Sequence, residues 1–175
     1  MSKVRWIALI VTLALTSIPG LSQENPGQIS LRVVKYDGLK DEVLRHRGKV
    51  VFVDFWAEFC PPCKKGLPHI LQLHRQYAKD GLVVITVSVD DLHGGGAEET
   101  KSRVVGFLKQ NGATTTNLLL DEHPNVRAEK LRLSTIPCYY IFNRQGKWTQ
   151  FGSHSGDKVD YAVIDRLVTD LLKEK

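Results

Sequence analysis

The sequence predicts an α/β fold, with one sheet covered by helices on both faces. Three observations carry this. Val50–Trp56 and Leu82–Val89 are near-continuous apolar runs, the pattern of strands buried on both sides. Residues 61–79 and 98–110 place apolar side chains at helical spacing. The C-terminal part reads as a strand, the turn Asn143-Arg144-Gln145-Gly146, a second strand and a last helix, so a hairpin joins the strand–helix alternation.

Residues 1–22 read as a targeting segment. Lys3 and Arg5 give a basic start, Trp6–Thr16 an apolar stretch, and Gly20-Leu21-Ser22 a small-residue cleavage site before Gln23. The stretch is about half of the ~20 residues that span a bilayer, which favours a cleaved signal peptide over a retained anchor. No cysteine follows it to take a lipid. The chain is therefore expected to be exported to the periplasm or an equivalent extracytoplasmic space. Residues 23–30 are a polar lead-in, and 31–175 a single domain.

Within that domain, Leu31–Lys35 suits a first strand and Asp37–His46 a short helix with Asp37 as N-cap. Val50–Trp56 is a strand. In the helix from Pro61 to Lys79, Leu67, Ile70, Leu71, His74 and Tyr77 form the inner face and Gly81 ends it. After the strand 82–89, Gly94-Gly95-Gly96 lies in a loop expected to be mobile. Glu98–Gln110 is a helix with Val104, Val105 and Leu108 inward, closed by Asn111-Gly112. A short strand at Leu118–Leu120 and a short helix at Asn125–Leu131 follow. Cys138–Phe142 and Lys147–Phe151 are the hairpin strands. In the last helix Asp157 is the expected cap, with Val159, Val163, Leu167 and Leu171 inward.

Composition excludes little by itself: of 175 residues, 42% are apolar and 25% charged, ordinary for a globular domain. The formal charge of +5 falls to +3 once Lys3 and Arg5 leave with residues 1–22. The remaining cations are scattered, with no basic stripe or aromatic platform for nucleic acid. Of the six histidines, His74 falls on an apolar helix face, and His93, His123 and His154 lie in predicted loops without ligand spacing.

Function concentrates in Trp56-Ala57-Glu58-Phe59-Cys60-Pro61-Pro62-Cys63, between a strand and a helix. Two cysteines three positions apart close too small a loop to staple a fold. They suit chemistry better: a dithiol that closes to a disulfide, with Cys60 at a helix N-terminus where free N–H groups and the dipole favour its thiolate. Pro61 and Pro62 break no helical bond there, yet remove two donors that could have solvated that thiolate. This points to a less depressed pKa and a pair that leans toward reduction of its partners. Cys138 is left as an odd thiol.

The stretch V-D-F-W-A-E-F-C-P-P-C-K, with Pro68 five residues after Cys63, Thr135-Ile136-Pro137 before a late strand and Gly152 after the last one, resembles the thioredoxin superfamily over roughly residues 31–172. The targeting segment and the helix inserted at 98–110 look like its exported, TlpA-like branch. The resemblance implies a thioredoxin fold: a central mixed sheet, helices on both faces, and a helix and strand inserted after the second core strand. It implies Cys60 as nucleophile and Cys63 as resolving thiol. Asp54 is implied as the buried acid that relays the proton of Cys63, the alternative being a strand-end aspartate satisfied by neighbouring hydroxyls such as those of Thr86 and Ser88. Trp56, Pro61 and Pro62 would receive substrate, with Ile136 and a cis-Pro137 offering a backbone edge to an extended peptide.

Cys138, in place of the usual threonine or small apolar residue, is a buried filler, an auxiliary thiol, or a third ligand for zinc or an iron–sulfur cluster. Gly66 stands where members acting in cytochrome-c maturation often carry glutamate, which argues against haem-site cysteines as substrate. No cofactor beyond the Cys60–Cys63 disulfide is required. The partners implied are protein disulfides and a membrane dithiol electron donor, with the domain acting as a monomer. The same residues serve an oxidase or isomerase. A thiol peroxidase fits the local motif less well, and a metal-binding module using Cys60, Cys63 and Cys138 or an inert scaffold are the non-enzyme alternatives.

Overall fold

The computed structural model describes residues 29–152 and 159–174. The expected targeting segment, Asp157 and His154 lie outside them. Six strands form one mixed sheet: β1 (Arg32–Val34), β2 (Val50–Trp56), β3 (Leu82–Ser88), β4 (Thr116–Leu120), β5 (Cys138–Phe142) and β6 (Trp148–Phe151), in the order β1-β4-β3-β2-β5-β6. The first four are parallel; β5 pairs antiparallel with β2 and, as the predicted hairpin requires, with β6. The helices are α1 (Tyr36–Arg45), α2 (Pro61–Tyr77), α3 (Ala97–Gln110), α4 (Pro124–Leu131) and α5 (Tyr161–Lys173). The helix and strand expected after the second core strand are α3 and β4.

β2 is central because it can be. All seven of its residues are buried, and it is hydrogen-bonded to β3 on one edge and β5 on the other. Its alternating side chains enter two cores. Val50 and Phe52 pack with Ile70 and Leu73 of α2 and Ile164 and Val168 of α5. Val51, Val53 and Phe55 join Leu39 of α1 and Val104 and Leu108 of α3. Each such side chain contributes about 1.5–3 kcal/mol of burial.

Three helix details differ from expectation. The N-cap of α1 is Lys35 and that of α5 is Asp160, whose carboxylate accepts from the Ala162 N–H at 2.9 Å. Asp37 sits inside the first turn of α1, where its charge still meets the positive end of the dipole. In α5 the buried residues are Ile164 and Val168, while Val163 is 39% exposed. Val159, Leu167 and Leu171 pack half-buried against the same core as expected, and only at Val163 does the inner face turn instead toward Ile164 and Val168. In α2, Leu73 is buried and His74 half-buried, its Nδ1 without a partner. Burial and the Arg75 charge hold the His74 pKa down, against a backbone contact with Leu82.

β4 begins earlier than its apolar run because of Asn117, a buried amide with every polar group engaged. Its Nδ2 donates to the carbonyls of Ala113 and Thr115 at 2.9 Å and of Ser30 at 3.3 Å. Its Oδ1 accepts from the hydroxyls of Thr86 at 2.8 Å and Thr115 at 3.1 Å. One side chain thus ties β3, β4 and the approach to β1. Asn117→Ala leaves several buried groups unpaired and is expected to cost roughly 2–4 kcal/mol. In urea denaturation the midpoint should drop with an unchanged slope.

Candidate active site

The loop after β2 is held against the end of β3. The Glu58 N–H donates to both carboxylate oxygens of Asp90 (3.0 and 3.2 Å), and the Ser88 hydroxyl donates to the same group at 2.7 Å. Val89 N–H meets the Trp56 carbonyl at 2.8 Å, and Cys60 N–H the Ala57 carbonyl at 3.1 Å. This places Cys60 at the N-cap of α2 with Pro61 and Pro62 in the first two helical positions.

Cys60 and Cys63 form a disulfide. Cys60 is 6% and Cys63 2% exposed, whereas both prolines are exposed. The Cys63 N–H donates to Cys60 Sγ at 3.3 Å. With the first two positions occupied by proline, this is the first backbone donor the helix can offer the sulfur, and on reduction it faces a thiolate.

The Ile136–Pro137 bond is cis. Pro137 precedes β5, whose first residue, Cys138, pairs with Phe55 of β2. Gly152 explains itself here: its φ is +74°, and a Cβ would collide with the Pro137 carbonyl. The Thr135 hydroxyl donates to the Gly152 carbonyl at 3.0 Å, fixing the same corner.

Asp54 is 2% exposed and lies opposite Thr86 of β3 and Tyr139 of β5. Neighbouring hydroxyls do not satisfy it: Thr86 donates to Asn117 and Ser88 to Asp90, and Asp54 Oδ1 has no partner. Desolvation pushes its pKa up to about 8. Burial raises the pKa values of Cys138, Tyr139 and Tyr161, and the Asp54 charge adds to each. The hydroxyls of Tyr139 and Tyr161 pair at 3.0 Å in the space beside Gly66, one turn past Cys63. A Cβ at Gly66 would collide with the Tyr161 hydroxyl and come within 2.9 Å of that of Tyr139.

Trp56 departs from its expected place as a substrate platform. It is fully buried, covered by Phe107 of α3 at 5.1 Å between ring centroids. The exposed aromatic beside Cys60 is Phe59, at 70%. Phe59 and Ile136 both line a groove of about 220 Å³, together with Val89, Pro124, Leu133 and Arg127. Sequence reasoning passed over Phe59 and Arg127; an exposed phenylalanine directly before Cys60 was the available signal. A second cavity of about 250 Å³, bordered by Leu39, Tyr140 and Trp148, includes none of the redox residues.

Cys138 is fully buried, its sulfur accepting from Gln150 Nε2 at 3.3 Å, and burial pushes its pKa up to about 11. Among the described residues no group of three His, Cys, Asp or Glu side chains is arranged to hold a metal ion. Of its three readings, the geometry favours the buried filler.

The AhpC/TSA family model matches residues 35–150, most of the chain and both cysteines of the disulfide. The chain belongs to the AhpC/TSA family. Among curated relatives, this family member is 26% identical over 127 residues to thiol-disulfide oxidoreductase ResA of Halalkalibacterium halodurans, covering 73% of this chain and 65% of the relative. Among solved structures it resembles a thiol-disulfide isomerase from Corynebacterium glutamicum, with a TM-score of 0.63 and 24% identity over 87% of this chain and 99% of that one. It also resembles the thioredoxin domain of a thiol-disulfide oxidoreductase from Bacteroides vulgatus, with a TM-score of 0.54 and 20% identity over 72% and 84%. The fold is the thioredoxin fold, as the resemblance implied.

Two outcomes follow from the burial of these groups. Below about pH 4 Asp54 is neutral folded and unfolded; between about 4 and 8 only the unfolded chain releases its proton, so stability falls as pH rises. Asp54→Asn should therefore melt higher than the parent protein at pH 9, the gain vanishing near pH 4. In the native reduced protein, iodoacetamide should modify Cys60 and leave Cys138 untouched until denaturant is added, as read by peptide mass.

Proposed function

We propose that this protein is an exported thiol–disulfide oxidoreductase that reduces protein disulfides. The observation that carries the reading is the Cys60–Cys63 disulfide capping α2, its first sulfur held by the Cys63 N–H, next in the chain to Phe59, which lines a groove together with Ile136. The family and the name of the H. halodurans relative support it; the chain spans 65% of that relative's length. The basic and apolar residues 1–22 support export.

In the reduced protein Cys60 attacks a substrate sulfur. The substrate S–S bond breaks, one thiolate leaves, and a mixed disulfide forms. Cys63 then loses its proton and attacks Cys60 Sγ, closing the protein disulfide and releasing the second substrate thiolate. Two electrons pass from the protein dithiol to the substrate. Asp54, with a pKa of about 8, accepts the Cys63 proton only in its ionised form, so this step should speed up as pH rises toward 8. The two sulfurs hold the electrons, so no further cofactor is needed. In an oxidising compartment a dithiol donor, at the membrane in the exported branch, restores the reduced state.

Insulin reduction with a thiol donor tests the activity. Cys60→Ser should abolish it, and Cys63→Ser should accumulate a mixed disulfide with substrate. The direction is tested by equilibrating the protein in graded thiol buffers. A potential near about −270 mV or lower supports a reductase; one between about −180 and −120 mV overturns that direction in favour of an oxidant or isomerase.

A further inference from the structure

The groove beside the disulfide is lined by apolar Phe59, Val89, Leu133 and Ile136, by the hydroxyl residues Ser134 and Thr135, and by a single charged side chain, Arg127. Arg127 rises from α4 and is half-buried. Its Nη1 donates to the Val89 carbonyl at 2.7 Å, at the end of β3. Among the described residues no carboxylate pairs with it. The acids of the surrounding loops are engaged elsewhere: Glu58 with Lys64 at 3.0 Å, Asp90 with Ser88 and the Glu58 N–H, and Asp121 with Lys35 at 2.9 Å and His93 at 2.8 Å.

A guanidinium with no carboxylate partner among the described residues, set in a groove, is screened less than one on an open surface. One nitrogen is taken by a carbonyl, which fixes the plane of the group. The remaining N–H donors suit a planar carboxylate. Pinning α4 to β3 accounts for the bond to Val89, and a neutral amide would do that as well. It does not account for a full positive charge left in the groove where substrate enters.

We infer that Arg127 is a specificity-determining residue, and that the substrate is an extended polypeptide with a glutamate or aspartate next to the cysteine that Cys60 attacks. The walls take the apolar part of that segment and Arg127 its carboxylate. This inference rests on the proposed disulfide chemistry.

The test uses one disulfide-bearing peptide in three versions, with Glu, Gln or Lys flanking the cysteine, and bis(2-hydroxyethyl) disulfide as an uncharged small substrate. The full-length protein should show a kcat/KM about tenfold higher for the Glu than for the Gln version, the size of one charge-assisted hydrogen bond. The difference should sit in KM and shrink with added salt. Arg127→Gln keeps a donor for Val89. It should erase the preference, bringing kcat/KM for the Glu peptide down to about that for the Gln version. Equal rates on the three peptides, or a preference that survives Arg127→Gln, would overturn the inference while reduction of the small disulfide upholds the chemistry. If not even the small disulfide is reduced, the chemistry itself falls, and this inference with it.

Discussion

Everything at the site hangs from one strand that is closed on all sides. β2 is paired along both edges and buried at every position from Val50 to Trp56. The chain leaving its end therefore has a fixed origin and direction. Asp90, itself at the end of β3, catches the next turn through the Glu58 N–H, and Cys60 is delivered to the start of α2. The antiparallel neighbour β5 brings Pro137 and Cys138 to the same end of the sheet. Two strands of opposite direction thus present a helix start and a peptide edge to one another, and neither arrangement needs a long loop to be held in place.

The electrostatics follow from the same burial. Asp54 is a carboxyl with hydroxyls on both flanking strands, and each hydroxyl is engaged with another partner. Thr86 is taken by Asn117, the residue that organises β4. An interaction made for the stability of the far side of the sheet thereby leaves the acid under the site without a donor. Its proton affinity rises because it is dry and unsupported, with no neighbouring anion required.

Much of this was legible in the sequence where the signal was local. β2 and β5 fall on their expected residues because each is a continuous apolar run bounded by turn-formers. The start of α2 was legible from Pro61 and Pro62. Gly152 and Pro137 were recognisable as a pattern, though the collision that binds one to the other is a fact of space. What escaped depends on residues far apart in the chain. Trp56 reads as an aromatic beside a reactive pair, and only the packing of Phe107, fifty-one positions later, puts it out of reach. Asn117 looks like a polar residue before a strand until its five hydrogen bonds are assembled. Arg127 is one cation among many in the sequence; its half-burial and the absence of a described carboxylate partner set it apart.

The two tyrosine hydroxyls beside Gly66 bind three distant positions into one heritable unit. Gly66 belongs to α2, Tyr139 to β5 and Tyr161 to α5, yet a side chain can appear at 66 only in a lineage that has already surrendered the hydroxyl at 161 and loosened that at 139. Conversely, once those hydroxyls are in place, the glycine is locked in behind them. The neighbourhood of the resolving cysteine can then drift only by coordinated replacement on three elements, and a single exchange at any one of them arrives in a chain not yet shaped to receive it.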